Sequence, residues 1–214
     1  MKISKTSPSV VILANGEKPT HKIPLDVLRK ADFVVCCDGA YKKLKETGRE
    51  PDYVVGDCDS ISKKDTLSLA NKVIKISEQE TNDLAKAFYF TINNKDWKKP
   101  SITILGACGL REDHTIGNVF RLIDFAKESP SISIYSDYGR FFPVLKSKRI
   151  KCRKSTPVSI FAPFPGTAVK STGLKWKLDG LDLSQLYSAT LNKTTGASFT
   201  ISTTAPVIIY IPYE

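Results

Sequence analysis

Short, almost wholly apolar runs rich in β-branched residues recur through the first two-thirds of the sequence, each ending near a glycine or a polar turn residue. Val10–Leu13 runs into Asn15-Gly16, Phe33–Cys37 into Asp38-Gly39, Tyr53–Val55 into Gly56-Asp57, and Ser101–Leu105 into Gly106. Val73–Ile76 and Ile132–Tyr135 complete the set. Between them, residues 40–47, 83–92 and 114–127 have helical character. The first of these stops at Gly48, and the second places Leu84, Ala87, Phe88 and Thr91 on one face. A strand that is apolar on both faces cannot border water, so such strands belong in a parallel sheet covered by helices. The pattern predicts a Rossmann-like α/β domain, in which ligands bind beyond the carboxyl ends of the strands. Asn15, Asp38, Asp57, Asp59, Arg111 and Asp113 all follow strand runs. Any one of them reads as a turn former; the whole set is more than turns require.

From about Tyr138 helical periodicity disappears. Strand-like runs recur at Phe141–Leu145, Val158–Phe161, Ala168–Ser171, Ser198–Ser202 and Val207–Ile211, punctuated by Pro143, Pro157, Pro163, Pro165 and Pro206. This predicts a C-terminal all-β sandwich. The expected division is 1–137 for the α/β domain and 138–214 for the sandwich, and 214 residues suffice to give each a core.

Composition removes several classes. The formal net charge is +10, which suits a nucleic acid, a small polyanion such as ATP, or simple solubility. The lysines are scattered, as in Lys42-Lys43, Lys63-Lys64 and Lys98-Lys99, and do not interleave with aromatics as a stacking platform would. A nucleic-acid partner is therefore not expected. Cys36, Cys37, Cys58, Cys108 and Cys152 show no Cys-x-x-Cys spacing, and His21 and His114 are the only histidines, too little for a zinc cluster. Reduced thiols in a cytoplasmic protein are the expectation. The start of the sequence is polar, with no signal-peptide core, and no run approaches the ~20 apolar residues that span a bilayer. There is neither a Walker A sequence nor a Gly-x-Ser-x-Gly nucleophile motif.

Three local motifs carry chemistry. Gly56-Asp57-Cys58-Asp59-Ser60 is either a polar turn or a pair of carboxylates aimed at one divalent cation, and magnesium takes such oxygen ligands together with phosphates. Gln79-Glu80-Thr81-Asn82-Asp83 leads into a helix, which Thr81 is expected to cap, with Asp83 favoured in the first turn by the helix dipole. Its other reading is metal binding by Asp83 and substrate contact by Gln79. Gly106-Ala107-Cys108-Gly109-Leu110-Arg111-Glu112-Asp113-His114 is a glycine-containing loop after a strand, where backbone amides can approach phosphate and Arg111 can clamp it. His114 and Asn118 share a helix face.

Asp38-Gly39, Pro51-Asp52, Gly56 through Ile61, Gln79 through Asp83, and Arg111-Glu112-Asp113-His114 with Asn118 occur in an order and spacing similar to that of the thiamine pyrophosphokinase family. Ser171-Thr172-Gly173-Leu174-Lys175-Trp176 resembles that family's Gly-Leu-Lys-Trp signature, so the likeness covers nearly the whole chain. The resemblance implies pyrophosphoryl transfer from ATP to the thiamine hydroxyl, giving thiamine pyrophosphate and AMP, with Mg2+ as cofactor. It implies a homodimer with active sites at the interface. Asp57, Asp59 and Asp83 would be metal and phosphate ligands, catalytic together with Arg111. Asn15, Asp38, Arg111, Asp113, His114 and Asn118 would border or contact ATP. Gln79, Trp176, Ser188 and Asn192 would contact thiamine, Trp176 by stacking; its other reading is a core aromatic of the sandwich. The sequence departs from the family at Ala40, Lys42, Leu110 and Leu191. Two rivals accompany this expectation, a related pyrophosphokinase for a pterin alcohol and a basic nucleic-acid-binding protein.

Overall fold

The computed structural model describes residues 7–183 and 185–213. They form two compact units, 7–118 with 134–137, and 119–133 with the described residues from 138 onward.

In the first unit β1 (Ser9–Leu13), β2 (Phe33–Cys37), β3 (Tyr53–Gly56), β4 (Val73–Lys75) and β5 (Ser101–Leu105) pair in parallel in the order β5-β1-β2-β3-β4. Parallel neighbours require crossovers. These are α1 (Lys22–Lys30), α2 (Tyr41–Glu46), α3 (Lys63–Leu69) and α4 (Asp83–Asn93). Val10 through Leu13 and Val34 through Cys37 are all buried, which is why these runs show no alternation. Burial of this kind makes truncation of Ile12 to alanine cost about 2–5 kcal/mol. From β1 the chain builds outward on one side through β2, β3 and β4, then returns to add β5 on the other. Strand order therefore reverses between β1 and β5, the place where open α/β sheets bind ligands. α5 (Glu112–Glu128) and β6 (Ile132–Tyr135) follow.

The second unit is a sandwich of two antiparallel sheets. β11 (Asn192–Lys193), β9 (Pro157–Phe161), β13 (Val207–Pro212) and β7 (Gly139–Val144) pair in that order in one sheet. β10 (Val169–Thr172), β12 (Ser198–Thr203) and β8 (Ser147–Lys151) form the other. Inward residues of both sheets, among them Phe142, Ile150, Val158, Ile160, Phe199, Ile201 and Ile209, make one core.

Three features depart from the sequence reading. α1 holds Pro24 but tolerates it in the first turn, where no intrahelical amide partner is lost. α3 has no apolar stripe, and its Leu67 is exposed. β8 is a strand despite three basic residues in five, because it pairs with β12 and buries Ile150.

Candidate active site

The ends of β1 and β5 are welded by backbone contacts that only glycine permits. The Gly16 amide donates to Gly106 O at 2.6 Å, and a Cβ at Gly16 would stand 2.4 Å from that oxygen. Gly106 itself has φ +65°, the left-handed region that glycine enters without strain. Asn15 lies beside this junction, where Lys43 from α2 donates to its Oδ1 at 2.7 Å and to its carbonyl at 2.8 Å. Partial burial lowers the Lys43 pKa.

Beyond β5 the loop is tied to the start of α5. Gly109 N donates to Thr115 Oγ1 at 3.1 Å, and Thr115 Oγ1 donates to Arg111 O. The buried Asn118 donates to Ala107 O at 2.9 Å and receives a hydrogen bond from Asn82. Arg111 and Asp113 form a forked ion pair at 3.1 and 2.6 Å, both exposed to solvent. The guanidinium holds the Asp113 carboxyl down to about 2. A cleft of about 290 Å³ is lined by Asn15, Gly16, Cys37, Asp83, Gly109, Arg111, His114 and Asn118, among others. It is walled by backbone amides and by a permanent cation, the composition that receives phosphate groups.

Acidic residues gather at the ends of β2 and β3. Carboxylate oxygens of Asp38, Asp57 and Asp59 all lie within 4.8 Å of one another. Asp38 is buried and accepts Gly39 N at 2.6 Å and Cys58 N at 2.9 Å. Burial raises its pKa against those two amides, and the charges of Asp83 and Asp57 add to the rise. Asp57 accepts the Asp59 amide and Gln79 Nε2, which lowers its pKa. Cys58 stands between the two carboxylates with φ +66°, so the turn presents Asp57 and Asp59 toward Asp38. Three crowded carboxylates repel one another unless a cation joins them, and oxygen-only donors fit a hard divalent ion such as Mg2+.

Asp83 opens α4 and lies outside that close group. Its Oδ1 is 3.5 Å from the ammonium of Lys86, a lysine buried one turn later. Asn82, not Thr81, caps α4, accepting Ala85 N at 3.0 Å, while Thr81 donates its amide to Glu78. Lys43, Lys86, Asn82 and Thr115 were not singled out from the sequence. Lys43 and Lys86 look there like ordinary surface charge, and their burial depends on neighbours far along the chain.

In the sandwich, Gly173 has φ +79° and turns the chain into the loop carrying Trp176. The Trp176 ring is half exposed and lies outside the sandwich core, with the Lys175 ammonium 4.5 Å above it. Asn192 is buried, accepting Trp176 N at 3.2 Å and donating to Trp176 O at 2.7 Å. Ser188 is exposed in a turn closed by its own amide donating to Gln185 O.

Residues 25–134 match the family model described as thiamin pyrophosphokinase, catalytic domain, and residues 139–210 match that described as thiamin pyrophosphokinase, substrate-binding domain. Thiamine pyrophosphokinase 1 of Oryza sativa subsp. japonica is 32% identical over 148 residues, which cover 63% of this chain and 55% of the rice protein. Thiamine pyrophosphokinase 3 of the same plant is 30% identical over 183 residues, covering 72% and 68%. The solved thiamin pyrophosphokinase of Candida albicans superposes with a TM-score of 0.77 at 20% identity, covering 97% of this chain and 90% of that one. At that identity the superposition speaks for the fold alone.

Proposed function

The chain belongs to the thiamin pyrophosphokinase family, and from that premise we propose that it transfers the pyrophosphoryl group of ATP to the hydroxyl of thiamine, releasing AMP. The observation that carries this reading is the juxtaposition, in one unit, of the Asp38/Asp57/Asp59 cluster with a phosphate-receptive cleft at the strand-order reversal. Pyrophosphoryl transfer asks for positioning and charge stabilisation more than for covalent participation. Asp57 and Asp59, with Asp38 and Asp83, would hold Mg2+, which would supply positive charge to neutralise phosphate oxygens.

The chain's own residues do the rest. Arg111 exchanges its Asp113 partner for a phosphate oxygen, keeping a forked, charge-assisted hydrogen bond throughout. His114 and Asn15 border the nucleotide, while Asn118 works from below by holding the loop after β5 in place. Gln79, already on the Asp57 carboxylate at 3.4 Å, is placed to orient the acceptor alcohol beside the acidic cluster. Trp176 offers a free indole face to a heteroaromatic ring, and Asn192 fixes the backbone on which it stands.

We further assign residues 1–137 to nucleotide binding and catalysis, and 138–214 to thiamine binding and dimer formation. The exposed side chains of Leu181, Leu186, Tyr187 and Leu191, with Trp176 and Ser188 in the same stretch, support a homodimer contact there. Among the described residues no helix is long and apolar enough to cross a membrane. We place the enzyme in the cytoplasm, which the five free thiols support. Mass spectrometry of the product tests the acceptor. Thiamine heavier by a pyrophosphoryl group supports the reading, and modification of a pterin alcohol in its place would overturn it.

A further inference from the structure

Between Asp137 and Asp179 the sequence holds ten lysines and arginines and no carboxylate side chain. Two of these cations, on different strands, meet at one aromatic ring. Arg140 shares its face of β7 with the core residues Phe142 and Val144, by the two-residue period of a strand. Lys148 shares its face of β8 with the core residue Ile150, and β8 is the edge of its sheet. The two side chains thus leave different sheets of the sandwich and converge on one ring. The Arg140 guanidinium carbon is 5.2 Å from the Phe142 centroid, and the Lys148 ammonium is 5.3 Å from it.

Neither cation has a hydrogen bond or an ion pair with another described residue, and no acid lies within the same stretch to supply one. Partial burial and, after it, the neighbouring guanidinium lower the Lys148 pKa, so each cation disfavours the other. Two like charges at one ring, without a counter-ion among the described residues, are stabilised when an anion joins them.

We propose that Arg140 and Lys148 form a binding site for a phosphate-class oxyanion on the side of the β-sandwich. The pair combines a forked guanidinium with a point-charge ammonium, the donors that suit phosphate oxygens. Two uncompensated positive charges match a dianion, whereas a single carboxylate would leave one over. The surrounding acid-free stretch raises the local potential and favours the approach of such a ligand. The site is built wholly from the second unit and uses no residue assigned to the transfer reaction.

The test is thermal unfolding of the whole protein in magnesium-free buffer with a chelator, comparing sodium pyrophosphate and sodium phosphate with sodium chloride at equal ionic strength. The wild type should gain roughly 5 °C at about a hundredfold excess of ligand over its dissociation constant. Lys148→Met, which keeps the apolar stem, should melt no lower than wild type in chloride and should lose the gain. Arg140→Gln should lose it too, and serves if the first variant does not fold. Arg111→Gln should keep the gain. A wild type stabilised no more than by chloride would overturn the proposal. So would a gain that survives Lys148→Met and Arg140→Gln, or one abolished by Arg111→Gln, which would place the anion at the loop after β5.

Discussion

The buried carboxylate of Asp38, at the end of β2, accepts the backbone amide of Cys58 across the strand boundary at 2.9 Å. Its other oxygen is taken by Gly39 N, so both acceptor positions are in use. Asparagine offers one acceptor and would turn an amine toward the second amide. Asp38→Asn should therefore lose about 1–3 kcal/mol of local stability. It should also raise the magnesium concentration needed for half-maximal activity, read from turnover against metal concentration. An unchanged metal dependence would contradict its role in holding the Asp-x-Asp turn.

The Asp59 side chain is exposed and accepts the hydroxyl of its neighbour Ser60, and an asparagine keeps the backbone amide that Asp57 accepts, so the change should cost little stability. Asp59→Asn should melt within a degree or two of wild type yet lose on the order of 100-fold in kcat. Steady-state rates beside a melting curve separate these effects.

The Arg111–Asp113 pair has a pH signature. The Asp113 pKa is held below the usual 3.8, at about 2, by the guanidinium hydrogen bonds. A depressed acid contributes stability above its unfolded pKa and loses it as pH falls through the folded value. The pair should stay intact at pH 4 and come apart as the pH falls through about 2. A carboxyl-carbon NMR titration should place Asp113 near 2 in the intact protein and back at the ordinary aspartate value in Arg111→Gln.

Asn192 supplies both hydrogen bonds that fix the Trp176 backbone. Asn192→Ala should lower kcat/KM for thiamine about tenfold, the effect of roughly 1.4 kcal/mol of lost positioning, and leave the KM for ATP unchanged. Equal losses for both substrates would point to general unfolding of the sandwich.

Much of the fold was legible because burial left a direct trace. Strands such as Phe33–Cys37 are apolar throughout since both faces are buried, and Ser198–Thr203 alternates since one face is wetter than the other. What was not legible depended on contacts distant in sequence. β8 carries one apolar inward residue among cations, and only its pairing with β12 makes it a strand. At the site, the Asp-x-Asp turn and the loop before α5 announced themselves by residue type. The place of Asp38 in the acidic group did not, because it arises from the pairing of β2 with β3. The buried asparagines Asn118 and Asn192 look in sequence like ligand contacts, and their side chains also hold this chain: Asn118 joins Ala107 O and Asn82, and Asn192 joins the Trp176 backbone.

The most direct test of the account is the release of AMP from ATP and magnesium, measured with and without thiamine, in wild type and in Asp57→Asn. Transfer to thiamine should give one AMP per thiamine pyrophosphate formed, no release without thiamine, and a loss on the order of 100-fold or more in Asp57→Asn. Thiamine-independent release, or near-normal turnover by Asp57→Asn, would contradict it.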